Sequence, residues 1–357
     1  MREVKLFAVG DILLRTRNGR PPFEGVASAL AEKDVLFGNL ETVLSCAGQE
    51  AEKASVLFTD PEEARYLAEA GFDVLNVANN HILDRGTEGL AATLDVLEQQ
   101  GLTYIGAGRS GSCADPRGGV VIERNGLRIG FLGYASSGKG DVGNGLFVRQ
   151  VETCAILEDM RYTRSACDVI VVSLHWGLDD LRYPPPEHIA LAHTLVEHGA
   201  CVVLGHHAHV LQGIEEYKGG LIAYCLGNFQ FKCDRSERHR QSLILSVRLT
   251  EDGMGSYDII PADIDDDLVP HVLADGHDRV ACLAALTAPI IEGRITRSWW
   301  FEHVAGEYLS NSLAAWRTRI RRYGFRHLVQ CLAWTVSPFA LRCYLGLLVR
   351  AVRRGPG

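Results

Sequence analysis

The chain has 357 residues, 47% of them hydrophobic and 22% charged, with a net charge of −8. That balance excludes a disordered or fibrous chain and allows a sizeable core. Beyond Glu307 there is no Asp or Glu but nine arginines (Arg317, Arg319, Arg321, Arg322, Arg326, Arg342, Arg350, Arg353 and Arg354), which leaves a body of about −17 with a basic appendage, and an acidic body argues against a nucleic-acid partner.

The amino terminus, MREVKLFAVGD, runs almost directly into an apolar stretch. It shows no long apolar h-region and no small-residue cleavage site, so no export signal is expected and a cytoplasmic location is. Residues 4–9 read as a strand, 24–31 as a helix and 35–37 as a strand. Residues 61–70 look helical, with Pro61 suited to the first turn, and 74–77 read as a strand. Over 87–100, Leu90, Leu94 and Leu97 recur at helical spacing. Asn125-Gly126 marks a hairpin turn within 123–129. A helix over 153–165, a strand over 169–174, a helix over 186–198 and a strand over 201–204 follow, then β runs at 220–226 and 243–249. Continuous apolar strands separated by helices predict sheets covered on both faces, and the hairpins predict a mixed sheet or a pair of sheets.

The body is expected to end near residue 270, giving a domain over 1–270 and a basic, mostly helical extension over 271–357. Residues 327–354 are apolar with basic flanks, and Pro338 and Arg342 interrupt them, which argues against a simple spanning helix. Two amphipathic helices at an anionic membrane surface, on the inner face, or against a synthase partner are one reading. A helical pair packed on the body, or a dimer interface, is the other. The ten cysteines are scattered without a CxxC pair and read as free thiols of a reducing compartment.

The chemistry gathers at the ends of the apolar runs. LFAVG leads to Asp11, VLFGNL to Glu41, VLNVAN to Asn80 and His81, VIVVSL to His175, CVVLG to His206, His207 and His209, and IAYCLG to Asn228. In an α/β sheet such ends face one crevice. A lone Asp11 or Asn228 would ordinarily be a turn or capping residue; recurrence at six ends points instead to a shared site. Carboxylate, amide and imidazole together suit one or two divalent ions, Mn, Fe or Zn. His188, His193 and His198 fall within one helical stretch and are expected on its surface.

In order, Gly10-Asp11, Gly38-Asn39-Leu40-Glu41, Ala78-Asn79-Asn80-His81, His175-Trp176-Gly177, Gly205-His206-His207-Ala208-His209 and Gly227-Asn228-Phe229 resemble the CapA family of capsule or poly-γ-glutamate biosynthesis proteins, similar to the calcineurin-like phosphoesterases. The resemblance covers residues 4–250. It implies a four-layer α/β/β/α metallophosphatase-like sandwich with a metal centre at the sheet ends. It implies Asp11 and His209 on a first metal, Glu41 as the bridging carboxylate, and Asn80, His175 and His207 on a second. His81 is the implied acid and His206 a further ligand. Asn39, Asn79 and Asn228 are expected to contact substrate. Leu13 stands where the wider superfamily has a histidine, and Leu178-Asp179-Asp180 where relatives often have Glu-Tyr. The implied activity is metal-dependent hydrolysis of an anionic substrate, a phosphoester or a polyglutamate-type polymer. The alternatives are a non-catalytic accessory of a polymer synthase and a γ-glutamyl amide hydrolase.

Overall fold

The computed structural model describes residues 2–110, 119–137, 140–232 and 236–354. Strands β1 (Glu3–Ile12), β2 (Val35–Leu40), β3 (Val74–Asn76) and β4 (Thr103–Ile105) are separated by helices α1 (Ala27–Leu30), α2 (Arg65–Glu69) and α3 (Gly86–Gln99). Strands β5 (Ala107–Arg109), β6 (Gly119–Arg124), β7 (Leu127–Ala135), β8 (Asp141–Gly143) and β9 (Leu146–Val148) lead to α4 (Thr153–Thr163). Then come β10 (Val169–His175), α5 (Pro186–Glu197), β11 (Val202–His206), β12 (Ile214–Tyr217), β13 (Gly220–Ala223), β14 (Asn228–Gln230), β15 (Gln241–Thr250), β16 (Gly253–Ile264) and β17 (Pro270–Val272). Helices α6 (His277–Ile291), α7 (Arg297–Tyr323), α8 (Phe325–Thr335) and α9 (Pro338–Arg354) follow.

The first sheet runs β17-β16-β15-β1-β2-β3-β4 with β14 beside β1, and the second runs β12-β13-β11-β10-β7-β6. Parallel centres carry antiparallel hairpins at their sides. The β6–β7 hairpin turns at Asn125 and Gly126, whose φ values of 50° and 76° are those of a type I′ turn, which matches the strand twist.

Alternation along the strands explains the layering. In β1, Leu6 and Ala8 face the second sheet while Phe7 faces the other way, because successive strand side chains point to opposite faces. Between the sheets, Phe37 stacks on Phe131 with ring centroids 5.9 Å apart. Outside the first sheet, Phe7, Leu36 and Leu75 pack with Leu90, Leu94 and Leu97 of α3. Outside the second, Leu132, Val172 and Val203 pack with Met160 of α4, Leu195 of α5 and Trp300 and Val304 of α7. The result is the four-layer α/β/β/α sandwich, with helices at the carboxyl end of the chain. Each large apolar side chain so buried contributes about 1.5–3 kcal/mol.

The carboxyl-terminal region is built into this body. Strand β17 pairs with β16, so the first sheet continues to Val272. Thr287 of α6 bonds both Ile214 N and Ile214 O, at 2.9 and 3.1 Å, and so satisfies the edge of the second sheet. Pro338 opens α9 rather than breaking a helix. The cysteines among the described residues are free thiols. Of the three α5-region histidines expected at the surface, only His198 is exposed. His188 stacks on Trp176 at 4.2 Å and His193 bonds Glu215 at 3.0 Å, because both lie on the side of α5 that meets the sheet.

Candidate metal centre

The two sheets deliver their polar residues to one place. At the end of β1, Asp11 sits in register with Asn39 of β2 and Asn228 of β14, and the β1–β2 register shifts between Ala8 and Asp11. Such a bulge re-aims a side chain. Gly10 makes this approach feasible, since a Cβ there would lie 2.0 Å from Gly227 O. In the second sheet His175 and His206 stand opposite each other at the ends of β10 and β11. The chain then turns through His207 and His209 with φ of 94° and 57°. Positive φ at a residue other than glycine costs on the order of 1–3 kcal/mol and persists where the surroundings enforce it, commonly at functional sites.

Among the described residues, two groups of ligand-type atoms lie within 4.8 Å of one another: Asp11, Glu41 and His175, and Glu41, His207 and His209. Glu41 belongs to both. Its Oε1 is 3.6 Å from His175 Nε2, 3.7 Å from His209 Nε2 and 3.8 Å from His81 Nε2. Asn80 joins through Oδ1, 3.0 Å from His175 Nε2. Asp11 Oδ2 lies 3.3 Å from His209 Nδ1 and accepts from the His207 amide at 3.2 Å. His206 Nδ1 is 3.5 Å from Asp11 Oδ1; it borders the site but falls outside both groups.

Glu41 provides the test of whether a cation fits. It is fully buried, and neither carboxylate oxygen has a hydrogen-bond partner. A buried, unpaired carboxylate is penalised by several kcal/mol, so this position calls for positive charge. Burial drives the Glu41 pKa well above the usual carboxylate range. Burial also works against the Asp11 carboxylate, but the His206 and His209 imidazoles hold it well below that range. His209 is pushed up to about 10: burial opposes its charge, and Glu41 and Asp11 prevail. Burial lowers the pKa of His175 and His207, which favours the neutral, ligating imidazole. The donor set, two carboxylates, an amide and several imidazoles without thiolate, fits one or two divalent ions.

His81 is held differently. Its Nδ1 is 2.5 Å from Asp84 Oδ2, which fixes the ring and leaves Nε2 toward Glu41. Asp84 also accepts from Leu57 N at 2.7 Å and from Lys53 Nζ at 2.6 Å, and Lys53 donates to Asn80 O at 2.5 Å. Burial lowers the His81 pKa, with Asp84 opposing. The cleft in front, about 150 Å³, is lined by Lys53, His81, His209, Lys232 and, from α7, Ala315.

Asn39, Asn79 and Asn228 do not face that cleft as expected. All three are buried, and their polar atoms are taken up inside the protein. Asn39 Nδ2 donates to Asp11 at 2.8 Å, and its Oδ1 accepts from Asn76 at 2.9 Å. Asn79 ties Leu40 O to the His81 amide at 2.7 and 3.0 Å. Asn228 Oδ1 meets His209 Nδ1 at 3.0 Å, and its amide reaches His239 O. They orient the residues in front of them. Sequence reasoning passes over Asp84, Lys53 and Asn76. For Asp84 a signal exists, a carboxylate three positions beyond His81 in one turn; for Lys53, in an irregular loop, there is none. Leu13 packs with Leu57 and Phe231, so the position lacking an imidazole is apolar.

The chain matches the family model described as bacterial capsule synthesis protein PGA_cap over residues 5–233. It is 32% identical over 253 residues to the capsule biosynthesis protein CapA of Bacillus anthracis, which is 68% of this chain and 61% of that protein, so it spans less than two thirds of that relative's length. It is 31% identical over 270 residues to the PGA biosynthesis protein CapA of Bacillus subtilis strain 168, 72% of this chain and 70% of that one. Among solved structures, a 5′-nucleotidase precursor from Thermus thermophilus aligns over 81% of this chain and 59% of its own, at 14% identity and a TM-score of 0.45. The calcineurin-like phosphoesterase YfkN from Bacillus subtilis aligns over 81% and 98% at 11% identity and a TM-score of 0.42; both structural likenesses are remote. On the family match and the Bacillus relatives, the chain belongs to the bacterial capsule synthesis protein PGA_cap family.

Proposed function

We propose that this protein is a metal-dependent hydrolase of phosphoesters that serves the synthesis of a poly-γ-glutamate or capsule-type polymer. The observation that carries the reading is Glu41, buried without a hydrogen-bond partner and common to both ligand groups. Asp11, Glu41, Asn80, His175, His207 and His209 would hold one or two ions of Mn, Fe or Zn, with His206 beside Asp11. A divalent ion so held lowers the pKa of bound water toward neutrality and favours an anionic oxygen. His81 faces the cleft through Nε2; in its imidazolium form, which the Asp84 carboxylate at Nδ1 favours against burial, it would deliver the Nε2 proton to the leaving oxygen. Lys53, paired with Asp84, and Lys232 line the cleft together with Asp179, so the positive charge that would draw an anionic substrate is that of the bound ions with Lys232 beside them. The test is turnover of a panel of model phosphoesters with added Mn²⁺; full activity after removal of all metal would overturn the reading.

A second reading is an accessory protein that binds an anionic polymer at the same cleft without turnover. It is favoured by the relatives' names, which record biosynthesis rather than hydrolysis. Failure on every phosphoester with polyglutamate binding intact would select it.

A further inference from the structure

Helix α9 is apolar on two opposite sides. One side packs inward: Ala340 and Cys343 are fully buried, and Gly346 lies against Phe301 of α7, where a Cβ would meet Phe301 O at 2.5 Å. The other side carries Leu341, Leu345, Leu348 and Val352, which are 54%, 61%, 64% and 81% exposed. Their spacings of four, three and four positions align them in one stripe. Helix α8 has the same character, with Val329, Leu332 and the adjoining Val336 exposed to 53%, 57% and 70%. Single apolar residues at a surface are ordinary; aligned stripes on successive helices mark an interaction face.

The charge around these stripes indicates what covers them. No acidic residue follows Glu307, against nine arginines, of which Arg353 is paired with Glu302 of α7 at 2.7 Å. Arg342 on α9 and Arg317 and Arg321 on α7 are exposed. A second copy of the chain would bring the same arginines to its own stripe, and like charges would oppose the pairing. An anionic lipid surface complements both properties: the leucines enter the headgroup–acyl boundary while arginine stems extend along it with their guanidinium groups among phosphates. No helix among the described residues is long and apolar enough to cross a membrane, so the geometry is that of a helix lying on one.

We propose that α8 and α9 form a docking face for a bilayer surface rich in anionic headgroups. Helix α7, on which α9 packs, also supplies Ala315 to the wall of the metal-centre cleft, so one helix connects the docking face with the cleft.

Co-sedimentation of the full chain with vesicles of phosphatidylcholine, with or without phosphatidylglycerol, tests this. The chain is expected to partition onto the phosphatidylglycerol vesicles, weakly onto phosphatidylcholine alone, and less at high salt. A Leu345→Glu/Leu348→Glu double variant should lose more than about tenfold of that partitioning, and Arg342→Gln about fivefold. Both should keep the wild-type far-UV circular dichroism and bound Mn²⁺. Wild-type chain that ignores phosphatidylglycerol, or a double variant that partitions like wild type, would overturn the proposal. So would a solution mass that halves in the double variant, since a second copy would then be what covers the stripe.

Discussion

Glu41→Gln is the change on which most depends. The side chain keeps its size, loses its charge and stays in a site where neither carboxylate oxygen has a hydrogen-bond partner. In metal-free protein the carboxylate bears the penalty of burial, so glutamine should leave the melting temperature unchanged or raise it. In the presence of metal the order should reverse. An ion at a hundredfold its Kd stabilises the folded state by about 2.7 kcal/mol. At roughly 2.1 cal/mol/K of unfolding entropy per residue, a chain of 357 residues gains about 4 °C. If losing the shared carboxylate weakens binding about a hundredfold, as loss of even a supporting residue can, the same metal concentration adds about 0.4 kcal/mol, or roughly 0.5 °C. Scanning calorimetry of chelator-treated wild type and variant, each with and without Mn²⁺, reads all four values. An Mn²⁺ increment equal in the two proteins would refute the role given to Glu41. So would a metal-free variant that melts several degrees below metal-free wild type.

Further consequences can be checked separately. His81→Ala should retain metal while turnover on a phosphoester falls by about 10²–10⁴, and Asp84→Asn should fall less; metal analysis beside steady-state rates checks both, and loss of metal from His81→Ala would assign it as a ligand. Gly205→Ala places a Cβ 1.9 Å from Tyr224 O and 2.8 Å from Trp176 Nε1. It should cost about 1–3 kcal/mol in urea unfolding; an unchanged midpoint would mean the strands part freely there. Burial puts the His188 pKa at about 4 against 6.5, so the unfolded chain takes up the proton first as pH falls. The stability from neutral His188 is therefore complete above 6.5 and is lost between 6.5 and about 4. His188→Phe keeps the stack on Trp176 and should flatten that part of the urea midpoint against pH; parallel curves would contradict it.

The central strands are legible because they are buried on both faces and read as unbroken apolar runs, as in VIVVSL before His175 and CVVLG before His206. Helix α3 is legible from its leucine spacing. Most of the short pieces are not: β4, β5, β8, β9, β14 and β17 have three residues each, too few for a period, and β3, equally short, is legible only through the apolar run VLNVAN that contains it. Strand β16 is long, but GMGSYDIIPADI is mostly half-exposed at the side of the sheet and carries no clean alternation. The stretches expected as helices at 24–31 and 61–70 begin as 3₁₀ turns. At the site, strand ends announce which residues arrive but not which way their side chains turn. That is why Asn39, Asn79 and Asn228 read as substrate contacts although register and hydrogen bonds place them behind the ligands. Lys53 reaches the site by tertiary packing alone, which no local pattern encodes. In α9 the apolar residues are plain in the sequence, but only the packing on α7 separates the inward side from the stripe left exposed.

The most direct measurement is X-ray anomalous scattering from crystals of Mn²⁺-loaded protein, with the bound metal counted in the same preparation. A metal at Glu41 should give a peak within about 2.3 Å of its carboxylate and of an imidazole nitrogen of His175, His207 or His209. One such peak would mean a single ion, and two flanking Glu41 a shared carboxylate. Protein that takes up no Mn²⁺, or an ion held away from Glu41, would contradict the account.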